Sequence, residues 1–172
     1  MSSAGTALAP APAPSAEQAI IEQKLRLQSR TRSGASWIMA VALFSVVNSV
    51  LVVFDAKLHF IVGLGITQVA DVIGQKAGEG GSVAGFVVSL FMAGIFTLFW
   101  KFARSGQQWA FIVAMVIYAL DGLIFLAAGA MLDFGFHLFA LYCMYKGLSA
   151  LNALNKLNAQ NVGYAVSQTI AQ

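Results

Sequence analysis

Four long apolar stretches with brief polar interruptions organise the chain: Ser36 to Phe54, Ser82 to Phe102, Trp109 to Met131, and Phe134 to about Leu151. Crossing roughly 30 Å of hydrocarbon takes about 20 apolar residues in a helix, and all four approach that length. The pattern predicts an all-α integral membrane protein, a four-helix bundle with spans at about 36–54, 82–102, 109–131 and 134–151. The first loop, Asp55 to Gly81, is too long for a turn and too apolar for an ordinary loop. Within it His59, Gly63, Thr67, Asp71 and Gln75 recur every four residues, with Ile61, Val62, Leu64, Val69, Val72 and Ile73 between them. That spacing predicts an amphipathic interfacial helix lying along the outer surface, with "QKAGEGGS" as a flexible turn into the second span.

Outside the spans the pattern is weaker. Residues 1–14, with "ALAPAPAP", form an Ala/Pro tail too poor in bulky apolar groups to fold. Ser15 and Gln18 in "SAEQ" fit a capping box that opens a basic amphipathic leader helix over 15–32. The transmembrane domain occupies 33–162, and 163–172 is a C-terminal tail. The run "LSALNALNKLNAQN" sets a leucine stripe beside an asparagine stripe, extending the fourth helix into the cytoplasm as far as Gly163.

Composition supports the membrane assignment, with 59% hydrophobic residues, 10% charged and a mean hydropathy of +0.77, against roughly 25% charged in soluble domains. Lys24, Arg26, Arg30 and Arg32 precede the first span, Lys101 and Arg104 separate the second and third, and Lys146 and Lys156 close the fourth. Only Lys57 and Lys76 fall in the first loop, so both termini are expected in the cytoplasm. The net charge of +3 is therefore a topology signal, and no nucleic-acid partner is expected. The first 35 residues hold no apolar core, so the first span is expected to act as an uncleaved insertion signal. Cys143 is the single cysteine, which rules out an intramolecular disulfide.

Two polar or small-residue stripes bear on assembly. Gly81, Gly85, Ser89, Ala93 and Thr97 share a face of the second span and suit close helix packing, either between copies in a homo-oligomer or larger membrane complex, or within the bundle. Ser45, Asn48 and Ser49 form a polar stripe on the first span, suited to interhelical hydrogen bonds.

The chemistry concentrates on charges in the last two spans. Asp121 stands near the bilayer midplane, where an unpaired carboxylate costs at least roughly 2.5–3.5 kcal/mol. A hairpin turn centred on Asp133 and Phe134 would level it with Lys146, predicting an ion pair. Alternatively Lys146 snorkels to the headgroups, and Asp121 is protonated or hydrogen-bonded to Asn48, Tyr118 or Tyr142, or serves a proton or ion relay. Asp55 with His59 and Asp133 with His137 are two DxxxH pairs, each able to present a carboxylate and an imidazole on one helix face. Together they could hold a tetrahedral metal ion, while Asp133 also suits the N-cap of the fourth helix.

No GxSxG, HExxH or CxxC motif is present, and "GLGITQ" lacks the third glycine and the preceding strand of a nucleotide fingerprint. A small multidrug resistance exporter would carry a glutamate in its first span, where this chain has Asn48. The runs "RSGQQWAFIVAMVIYALDGLIFL" and "GFHLFALYCMYKG", with "GLGITQVADVI" in the loop, resemble a group of small bacterial four-helix integral membrane proteins without an assigned activity. The resemblance implies the bacterial inner membrane and transfers no catalytic residue. The expected function is non-catalytic, a structural, accessory or oligomer-forming membrane subunit with no cofactor. The alternatives are a small proton- or ion-coupled transporter using Asp121 and, more distantly, an outer-surface metal-binding protein.

Overall fold

The computed structural model describes residues 15–53, 64–67, 69, 73 and 79–170, and among these all regular structure is helical. Four long helices follow in order: α1 (Ala16–Val53), α2 (Glu79–Arg104), α3 (Gln108–Ala127) and α4 (Met131–Ile170). Three stretches are long and apolar enough to cross a membrane, Ala16–Leu51, Gly85–Arg104 and Gln108–Ala127. In α4 the apolar run is interrupted by Asp133, His137 and Lys146.

The basic leader and the first span are one continuous helix of 38 residues, about 57 Å long at 1.5 Å per residue. It opens with the capping box: Gln18 N–H donates to Ser15 Oγ at 3.2 Å, and Ser15 N–H donates to Gln18 Oε1 at 2.9 Å. Nothing in "SRTRSGAS" stops it. There is no proline, and the Thr31 and Ser36 hydroxyls donate back to the Leu27 and Arg32 carbonyls, so they stay inside the helix. At the other end of the chain α4 likewise continues through Gly163 instead of stopping there.

Both tight turns depend on a glycine with positive φ. After α2, Gly106 (φ 87°) lets Gln107 N–H reach the Phe102 carbonyl; after α3, Gly129 (φ 73°) lets Ala130 N–H reach that of Phe125. Each bond is the outer one of a Schellman motif, completed by Gly106 N–H to Ala103 and Gly129 N–H to Leu126. The second turn thus lies at 128–130, several residues before the Asp133–Phe134 position expected from hydropathy. Asp133 accordingly falls within the first turn of α4 and is not its N-cap.

α1 packs against α2 and α4, and α3 against the same two, closing a ring of four helices. Its core is largely apolar, from Ile38 and Val41 to Phe96, Phe111 and Met144, yet it also encloses polar groups, and its outer surface is apolar. Ser45, Asn48, Ser49, Ser89, Asp121 and His137 are buried, while Leu43, Phe91, Val116, Leu120, Leu123 and Leu138 are exposed. In hydrocarbon the apolar side chains need no cover, whereas polar groups must find their partners inside the protein. Two tryptophans mark one level, Trp100 at the end of α2 and Trp109 at the start of α3 beside Phe99 and Phe102, whereas the Trp37 ring of α1 reaches deeper, 6.2 Å from Phe136 and 5.3 Å from Phe139. From Trp109 to Gly129 a helix rises about 30 Å, the thickness of the hydrocarbon layer.

Candidate functional site

The residues 64–67 of the first loop enter the bundle. Leu64 and Thr67 have no exposed surface, and a helix starts at Gly65. The side chains of Ile66, Val69 and Ile73 are exposed, so this helix turns its polar Thr67 inward and its apolar side outward. His59, Asp71 and residues 75–78 lie outside the described residues, whereas the rest of the expected flexible turn "QKAGEGGS" is helical, since α2 begins at Glu79.

A helix start buried among apolar groups leaves backbone amides that need acceptors, and Leu64 has no side-chain oxygen to offer. The acceptors come from two other helices. Leu64 N–H donates to Ser45 Oγ of α1 at 2.8 Å, and Ser45 passes its own hydrogen on to the Val41 carbonyl. Gly65 N–H donates to Asp121 Oδ2 at 2.6 Å and Ile66 N–H to Asp121 Oδ1 at 2.8 Å. Asp121 is therefore the capping carboxylate of a helix to which it does not belong, placed where both the free amides and the helix dipole favour a negative charge.

The second partner of Asp121 is His137 of α4, whose Nε2 lies 3.0 Å from Oδ2. The two residues are equidistant from Gly129, eight before it and eight after. Lys146 is elsewhere: it lies on the outer face of α4 with its Nζ 5.4 Å from the centre of the Tyr142 ring. His137 thus takes the place expected for Lys146, and Tyr142, one of three alternative partners considered for Asp121, is exposed. The reason is the turn, which comes about four residues earlier than hydropathy suggests and so moves the partner by nine residues along α4.

The hydrogen bonding also fixes the proton. His137 Nδ1 lies 2.9 Å from the Asp133 carbonyl oxygen, which can only accept, so Nδ1 carries a hydrogen. The contact between Nε2 and Oδ2 then requires one further proton between them. Whether it rests on the ring or on the carboxyl, the pair is neutral overall, as a buried pair in a low-dielectric interior must be.

The ring of His137 is held by α3. Tyr118 stacks on it at 4.2 Å and 17°, and Phe125 lies 4.8 Å away. Between them Gly122 gives the imidazole its space, because a Cβ there would lie 3.2 Å from the His137 Cβ. The Tyr118 hydroxyl is buried without a hydrogen-bond partner among the described residues. Asn48 is also buried, in the α1 stripe between Ser45 and Ser49.

Of the four metal candidates, Asp55 and His59 lie outside the described residues. Asp133 meets His137 only through its backbone carbonyl, and both His137 ring nitrogens are engaged. Among the described residues no group of three or more His, Cys, Asp or Glu side chains is arranged to hold a metal ion.

The small-residue stripe faces α1. Gly85, Ser89 and Ala93 are buried, Ser49 Oγ donates to Ser89 Oγ at 2.6 Å, and Thr97 lies 3.8 Å from Met39 Sδ. These positions are used inside the molecule; the side-chain environment of Gly81 lies outside the description.

Sequence reasoning missed Ser45 and the Leu64–Ile66 amides as partners of the buried charge network. The approach is close at Gly65, where a Cβ would lie 2.6 Å from the Phe125 ring and force it to shift. No family model, no curated protein and no solved structure matches the chain.

Proposed function

We propose that the chain is a non-catalytic integral membrane protein that crosses the bilayer four times, with both termini on the basic, cytoplasmic side, and serves as a structural or accessory subunit of a larger membrane assembly. The bacterial inner membrane is part of this reading and rests on the sequence resemblance alone. The observation that carries it is the use made of the intramembrane charge. Asp121 is 5% exposed, and its oxygens accept two backbone amides and meet one imidazole. A carboxylate committed to three such contacts holds the fold together, whereas a carrier acid must exchange its partners with water and substrate during each cycle.

The test combines stability with proton flux. In nanodiscs Asp121→Ala leaves the Gly65 and Ile66 amides without acceptors, at about 1–3 kcal/mol each. Together with the stranded imidazole, the expected loss is roughly 3–5 kcal/mol. His137→Phe is also expected to destabilise, and the double variant to lose less than the two singles combined, since the singles break one shared network. Vesicles containing the native protein should pass protons no faster than empty ones. A flux above background that Asp121→Asn abolishes, with thermal stability unchanged, would replace this reading with the proton-coupled carrier.

A further inference from the structure

Eight of the ten lysines and arginines lie among the described residues, and all eight are on the tryptophan-marked side of the molecule: Lys24, Arg26, Arg30, Arg32, Lys101, Arg104, Lys146 and Lys156. The described acidic residues on that side are Glu17 and Glu22, and Glu22 pairs with Arg26 at 3.5 Å. Two of the cations converge on one pocket. It has a volume of about 260 Å³ and is lined by Arg30, Ser33, Gly34, Trp37, Cys143 and Lys146. The pocket forms where α1 crosses α4 at Gly34 and Gly147, whose missing side chains let the helices meet and leave room beside them. Its lining contains a guanidinium, an ammonium, a hydroxyl and no carboxylate.

A second groove of about 270 Å³ shares Ser33 and Trp37 with this pocket and continues along α1 past Ala40 to Phe44. The two form a sequence from polar to apolar, running from the basic end past a tryptophan into the spanning segment. An arginine fork and a lysine point charge suit a phosphate, and an apolar groove directly below suits a hydrocarbon chain. With two cations and no carboxylate in the lining, a zwitterionic headgroup would add an ammonium that has no counter-charge there.

We propose that this is a binding site for an anionic phospholipid, in which Arg30, Ser33 and Lys146 hold the phosphate and Trp37, Ala40 and Phe44 receive an acyl chain. The proposal rests on the membrane crossing argued above. Inorganic phosphate probes the anion half without it, so failure of the membrane reading and failure of the site are distinguishable.

The full chain in detergent is titrated with short-chain phosphatidylglycerol, short-chain phosphatidylcholine or inorganic phosphate, with melting temperature as the readout. Phosphatidylglycerol is expected to raise it at concentrations where phosphatidylcholine does not. Arg30→Gln with Lys146→Gln should weaken that response by roughly tenfold or more, while Lys101→Gln with Lys156→Gln, equal in charge, should leave it intact. Ala40→Phe, which fills the groove, should weaken the lipid response and spare any response to phosphate; this variant still decides the matter if the double substitution prevents folding. Equal losses in the two charge pairs would mean diffuse surface attraction and overturn the site, as would equal responses to the two lipids. A phosphate response as large as that to phosphatidylglycerol, insensitive to Ala40→Phe, would overturn the lipid assignment and leave a free-phosphate site.

Discussion

Leu64 precedes the buried start of a helix and has no hydroxyl or carboxylate of its own, so its amide and the next two are satisfied by Ser45 and Asp121 from α1 and α3. Replacing Asp121 by asparagine keeps the shape but substitutes an NH₂ for one acceptor oxygen. If that NH₂ faces His137, it also faces the Gly65 amide, donor against donor. Asp121→Asn is therefore expected to lower stability by about 1–3 kcal/mol in thermal unfolding, with the fold retained. The position of the proton can be checked directly: nitrogen-15 spectra of labelled histidine should show His137 Nδ1 protonated, because its partner is a carbonyl. A neutral ring protonated only on Nε2 would contradict this geometry. Gly122 supports the same ring, and Gly122→Val should destabilise by roughly 2–4 kcal/mol, since even a Cβ would approach the His137 Cβ to 3.2 Å. At this scale sequence reasoning identified the problem residue and mistook its partner. The need of Asp121 for a partner follows from charge and hydropathy alone. The identity of that partner depends on where a turn begins, and Met131 and Leu132 are as apolar as the span preceding them.

Among the helices, α1 and α4 meet at glycines. A Cβ on Gly147 would lie 2.6 Å from the Gly34 Cα and 3.1 Å from the Phe111 ring, with backbone on one side that cannot move aside. Gly147→Leu should therefore separate the two helices and lower stability by several kcal/mol, of order 3, whereas Gly163→Leu, in open space on the projecting part of α4, should be neutral or slightly stabilising. Thermal unfolding of the two variants side by side gives the contrast. The number of long helices and the central part of three apolar spans were legible from hydropathy, because lipid demands length and apolarity. Helix ends were less so. The expected break between leader and span does not exist, since hydroxyls in "SRTRSGAS" bond within the helix, and the two helix stops are set by Gly106 and Gly129, residues whose φ no hydropathy profile reports. The descent of Leu64–Thr67 into the bundle was hidden for a related reason: its polar pattern suits the membrane surface as well as an inward polar face.

At the scale of the molecule, polarity and charge define an axis. The projecting arms of α1 and α4 and all described lysines and arginines lie at one end; the Ala128–Ala130 turn, which has no basic residue, lies at the other. Between them the tryptophan level and Gly129 are separated by about one hydrocarbon thickness. Because translocation of basic segments is disfavoured, the end with the arms should remain on the side of synthesis. Single cysteines placed in a Cys143→Ser background test this: Ile20→Cys on the first arm, Gln160→Cys on the second and Ala128→Cys in the turn, all exposed positions. In intact cells a membrane-impermeant maleimide should label only the turn, and permeabilisation should expose both arms. Labelling of one arm but not the other in intact cells would mean an odd number of crossings, with α4 lying in or beside the membrane instead of across it. The buried histidine bears on that choice. A helix that carries His137 to Asp121 from the Gly129 turn, and then carries Gly147 to Gly34 and Phe111 near the level of Trp109, runs through the same depth as α1 and α3. Its interrupted hydropathy goes with polar residues spent on internal contacts, His137 with Asp121 above all, which is why the expected outcome is that both arms are protected together.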